Sequence, residues 1–151
     1  MSAKFGGFGR RLAITDHDVK RAMQLLDAFG IVEKANYPYD ILSQVQRQSL
    51  LLARALMVSP KLLLLDEPLN GLDVIARNFF LNTLQEIADT QNVSIIYVTH
   101  QTEEILPFYT KAMLLKNGAI YAQGDLEKIF SVEIMNEFFG YSTNIHWHEG
   151  R

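Results

Sequence analysis

The chain has 151 residues, 48% of them apolar and 21% charged, with a net charge of −3 at neutral pH. That size and balance suit one soluble globular domain with a real core, and give no bulk electrostatic reason to bind nucleic acid or an anionic membrane. The absence of cysteine excludes a disulfide framework, a thiolate metal site and a cysteine nucleophile. No apolar run approaches the roughly 20 residues needed to span a bilayer.

Residues 1–11 read as an irregular lead-in, with Gly6, Gly7 and Gly9 set among Phe5 and Phe8. Its basic residues, Lys4, Arg10 and Arg11, have no apolar stretch behind them, so no secretory signal is expected. Thr15 with Asp18 three residues on resembles a capping box, and Val19, Ala22, Met23, Leu26 and Phe29 then fall on one helical stripe. Gly30 closes that helix. A proline-containing loop, Asn36 to Asp40, leads to a second helix expected from about Gln44 to Val58 and stopped by Ser59-Pro60. Four consecutive aliphatics, Leu62 to Leu65, predict a short strand buried on both faces. A helix from about Val74 to Ala88 and a second strand, Val93 to Thr99, follow. Ala112 to Lys116 and Ile120 to Gln123 flank Asn117-Gly118, the strongest short hairpin signal. Short helices near Leu126–Phe130 and Val132–Phe139 precede a loose tail, Tyr141 to Arg151. The order predicts an α/β fold: helices, then strand–helix–strand, then a hairpin.

The first strand ends in Asp66-Glu67-Pro68. The carboxyl ends of strands are where α/β sheets bind ligands, so adjacent carboxylates there suggest metal and water chemistry. Taken singly, the same residues also fit a solvated acidic turn. His100 stands at the end of the second strand, where a satisfied histidine would be unremarked on its own. Ser43 precedes a helix, so its hydroxyl and the first free N–H groups form a natural anion site, or simply a cap. Asp73, with Gly71 allowing the turn before it, also fits an N-cap. The histidines of His146-Trp147-His148 are too few ligands for a metal and read as a solvated tail.

Five elements thus occur in a fixed order: Leu42-Ser43-Gln44-Val45-Gln46, the strand ending in Asp66-Glu67-Pro68, Asn70-Gly71-Leu72-Asp73, the strand ending at His100, and the hairpin. Over roughly residues 12–124 this order resembles the C-terminal part of an ABC-type ATPase, the nucleotide-binding subunit of ABC transporters and their soluble relatives. The resemblance implies the C-terminal part of a P-loop NTPase (ABC) nucleotide-binding domain. It divides the chain into the lead-in 1–11, a helical subdomain 12–58 ending in the signature helix, an α/β core 59–124, and C-terminal helices and tail 125–151.

The resemblance also implies ATP and Mg2+ as ligands and assigns roles. Asp66 would hold magnesium, directly or through water, since that ion takes hard oxygen ligands and keeps several waters. Glu67 would orient or deprotonate the attacking water, and His100 would bond the γ-phosphate and align that water. Ser43, Gln44, Val45 and Gln46 match the signature motif, presented to ATP bound by a second ABC ATPase subunit, and Asp73 the D-loop at the same dimer interface. The family has glycine at the positions of Gln44 and Val45. A β-branched side chain at Val45 obstructs the close backbone approach that glycine permits, which sets it against the contact in trans.

The sequence contains no G-x-x-x-x-G-K-[ST] and no Gly-Lys pair, so the phosphate cradle of the family has no counterpart in it. The expectation is therefore a truncated fragment, or half of a split protein, inactive alone. The strand Val93–Thr99 would then offer an exposed apolar edge, predicting an oligomeric or poorly soluble chain. The alternative is a non-catalytic interaction module, or remnant, that docks on an intact ABC ATPase. The resemblance places the protein in the cytoplasm, with peripheral attachment at the inner face of the membrane through permease subunits also open. No nucleic acid partner is expected.

Overall fold

The structure, a computed structural model, describes residues 13–145. The lead-in 1–11 and the segment His146-Trp147-His148 lie outside the described residues.

Thr15 and Asp18 form the expected capping box at the start of α1, Asp16–Ala28. Its inward face differs from the expected stripe, because Val19 and Met23 are exposed while Phe29 is buried. The cause is Arg21. Its guanidinium donates to the carbonyls of Leu56 (3.0 Å) and Met57 (3.2 Å) and to the Ser59 hydroxyl (2.8 Å). These groups lie at and just beyond the end of the next helix, so the Arg21 side of α1 turns towards it.

That helix, α2, spans Gln44–Leu56 and buries Ser49, Leu52, Ala53 and Leu56. It stops two residues short of the expected Val58, since Ser59 takes a left-handed φ of +47° ahead of Pro60. The strand β1, Leu62–Asp66, the helix α3, Val74–Thr90, and the strand β2, Ser94–Val98, then form a βαβ unit. The two strands pair in parallel, with Leu62 opposite Ser94 and Asp66 opposite Val98. Through Ala76, Phe80, Leu81, Leu84 and Ile87, α3 adds to the core.

The expectation that β1 is buried on both faces is corrected. Leu63 is buried, but Leu62 and Leu64 are 54% and 63% exposed, and Ile96 and Val98 beside them are 47% and 41% exposed. Alternation along each strand puts these four side chains on one face of the sheet, and among the described residues only the opposite face is covered.

The chain divides into two compact units, one ending at Glu104 and the other beginning at Ile105. In the second, β3 (Lys111–Lys116) and β4 (Ala119–Asp125) pair antiparallel. Asn117 and Gly118 both adopt left-handed φ, +53° and +74°, as a two-residue type I′ turn requires. The helices α4 (Leu126–Ile129) and α5 (Val132–Phe139) complete this unit around Leu126, Ile129 and Met135. No helix among the described residues is long and apolar enough to cross a membrane.

Candidate functional site

The site begins where β1 ends. Asp66 is the last residue of β1 and lies on the exposed face of the sheet with Leu62 and Leu64. One residue on, the Glu67 N–H donates to the Val98 carbonyl at 2.9 Å, extending the ladder by one rung. The backbone then breaks: Glu67 adopts φ +43°, a left-handed conformation that few non-glycine residues take. This turn aims the Glu67 carboxylate along the edge towards the end of β2. There, Glu67 Oε1 lies 3.0 Å from Nδ1 of His100. Strain of this kind concentrates at functional positions, where surrounding structure over-determines the backbone.

What holds the turn is beneath it. Leu69 and Leu72 are buried, Asn70 N–H donates to the Glu67 carbonyl, and Leu72 N–H donates to that of Leu69. Gly71 at φ +76° allows the chain to re-enter a helix. Asp73 then caps α3, its Oδ1 accepting the Ala76 N–H at 2.8 Å.

At the other candidate element, the Ser43 hydroxyl accepts the Gln46 N–H (3.3 Å), and the Gln46 side chain accepts the Ser43 N–H (2.9 Å). Ser43 and Gln46 are therefore partners in a capping box, which satisfies the Gln46 N–H and leaves those of Gln44 and Val45 without a partner inside the helix. Val45 is half-buried on that first turn. The Gln44 amide reaches away from the helix and donates to the Asn70 carbonyl at 2.8 Å. It passes so close to Gly71 that a Cβ there would come within 2.5 Å of it. The structure thus joins two pairs of sequence-selected elements: Glu67 with His100, and the signature-like helix start with the Asn70–Asp73 turn.

Sequence reasoning missed one set of residues here. Glu104, on the turn after His100, is 1% exposed. It accepts hydrogen bonds from Arg77 Nη1 (3.1 Å), the Tyr97 hydroxyl (2.8 Å) and the Thr99 hydroxyl (2.6 Å). No periodicity around Glu103-Glu104 marks the second carboxylate as buried.

Among the described residues no group of three or more histidine, cysteine or acidic side chains is placed to hold a metal ion by itself. The donors at the edge are carboxylate oxygens. They suit a hard cation such as magnesium, which is commonly held by one or two carboxylates, substrate phosphates and waters.

The sequence family described as ABC transporter matches residues 5–70. An uncharacterized ABC transporter ATP-binding protein, YlmA of Bacillus subtilis, is 44% identical over 133 residues, covering 87% of this chain and 50% of its own length. The molybdate import ATP-binding protein MolC of Haemophilus influenzae is 34% identical over 123 residues, covering 82% of this chain and 48% of its own. Among solved structures, an ABC transporter in an inward-facing conformation superposes with a TM-score of 0.78 at 30% identity, over 93% of this chain and 55% of that one. The chain spans about half the length of the curated relatives it matches.

Proposed function

We infer the function of this chain from one premise: it belongs to the ABC-type ATPase family, of which it carries part of the nucleotide-binding domain. The chain supplies the water-activating edge and the dimer-facing turns of an ATP-hydrolysing subunit, acting with a second such subunit and with permease subunits. The observation that carries this reading is the contact between Glu67 and His100 at the carboxyl edge of a parallel sheet, built on a left-handed Glu67.

Magnesium, when bound, neutralises phosphate charge and fixes the orientation of the phosphates. Asp66 is the residue to hold it, because its carboxylate is exposed at the strand end. Glu67 is the carboxylate to take or direct the proton of a water, with its backbone fixed by the Val98 rung. His100 has Nδ1 turned to Glu67, so Nε2 is the nitrogen left to meet a phosphate oxygen. A phosphate oxygen only accepts hydrogen bonds, so Nε2 must then carry a proton. The imidazole in that state either holds both protons or releases Glu67, and release frees the carboxylate for water. Ser43 presents its helix start to the partner subunit's nucleotide, and Asp73 lies on the turn at the same dimer interface.

The test is to join the chain to the N-terminal half of YlmA and measure ATP hydrolysis. A folded joined protein that hydrolyses ATP only with magnesium supports the reading, and one that binds its partners without any turnover supports a docking module instead.

A further inference from the structure

We propose that Glu104 is a positioning residue that holds His100 against Glu67. This rests on the reading of Glu67 and His100 as a working pair. A carboxylate removed from water is unfavourable unless hydrogen bonds match it, and Glu104 has three donors, drawn from α3 (Arg77) and from β2 and its end (Tyr97, Thr99). Matched buried charges still rarely stabilise a fold better than apolar side chains of the same volume. Their use is in fixing geometry.

What Glu104 fixes is the backbone on both sides of His100. The Thr99 hydroxyl donates to Glu104 and at the same time accepts the Gln101 N–H at 3.0 Å. The Gln101 side chain accepts from Arg77, which also donates to Glu104. His100 therefore sits between two residues tied to one buried carboxylate, which fixes the backbone from which its ring reaches Glu67. Arg77 also lies one turn into α3, its N–H donating to the Asp73 carbonyl at 2.9 Å. The same carboxylate thus ties the His100 turn to the helix that Asp73 caps.

The experiment uses the whole chain without nucleotide and follows the His100 ring resonances by NMR. Glu67→Gln displaces them in the otherwise unaltered chain, because the carboxylate 3.0 Å from Nδ1 is lost. In chains carrying Glu104→Gln or Thr99→Val, the same Glu67→Gln step should displace them by less than about a third as much, the mark of a broken coupling. Thr99→Ser keeps the hydroxyl and should restore the full displacement. Thr99→Val leaves Glu104 its Arg77 and Tyr97 partners, and carries the test if Glu104→Gln does not fold. A full-sized displacement in the Thr99→Val chain overturns the proposal, as does a loss in Thr99→Ser. No hydrolysis enters this readout, so its failure is separate from failure of the ATPase reading.

Discussion

Glu67 and His100 are 33 residues apart in sequence, yet Oε1 of one lies 3.0 Å from Nδ1 of the other. The parallel register makes this possible. With Asp66 opposite Val98, the next residues of both strands emerge at the same edge of the sheet. The left-handed turn at Glu67 then directs its carboxylate sideways rather than onward.

That turn should be measurable as strain. An alanine in left-handed backbone is disfavoured by roughly 1–2 kcal/mol, whereas glycine is not. Glu67→Gly is therefore expected to be more stable than Glu67→Ala by about 1 kcal/mol in urea unfolding, the reverse of their order in ordinary strand or helix. Equal stabilities would show that Glu67 is unstrained.

Asp73 holds the start of α3 through the Ala76 N–H. Asp73→Ala should lower unfolding stability by about 1 kcal/mol, and Asp73→Ser should recover most of it. A loss common to both variants would place the role of Asp73 in its charge rather than in the cap.

In the second unit, the hydrogen bond from Lys111 to Asp125, with a further one from Lys128, lowers the Asp125 pKa to about 2. A carboxylate held below its unfolded value of about 3.9 stabilises the fold above that value. The contribution is lost as pH falls from about 4 towards about 2. Titration of the Asp125 carboxyl by NMR should show this low midpoint, and Lys111→Met should move it up towards the ordinary value. Both partners are exposed, so added salt should weaken the effect.

The face formed by Leu62, Leu64, Ile96 and Val98, uncovered among the described residues, should make the chain self-associate. Sedimentation velocity is expected to show a size that rises with concentration. Leu64→Thr with Ile96→Thr should reduce that rise with little change in melting temperature, because both side chains are already exposed. A single sharp monomer boundary at every concentration for the unaltered chain would contradict this.

How far the sequence could be read follows from which signals are local. The Thr15/Asp18 capping box, the Ser43 cap and the Asn117-Gly118 turn are realised, since each is specified within four residues. Burial was less legible. The Leu62–Leu65 run is as apolar as a strand covered twice, and its pattern cannot say whether the second cover lies within the same stretch of chain. The α1 face was misjudged for a similar reason, because Arg21 reaches carbonyls 35 and 36 residues away. At the edge of the sheet, the residue types of Asp66, Glu67 and His100 were visible, and their order carried the family resemblance. The Glu104 cluster was not, because its donors converge only after α3 and β2 are packed.

The most direct test of the account is Glu67→Gln in the chain joined to the N-terminal half of YlmA, with ATP turnover and nucleotide affinity measured on the same preparations. The account predicts turnover reduced by about 10²-fold or more, as for loss of a general base, with affinity for magnesium–ATP retained. Undiminished turnover in the Glu67→Gln protein would contradict it.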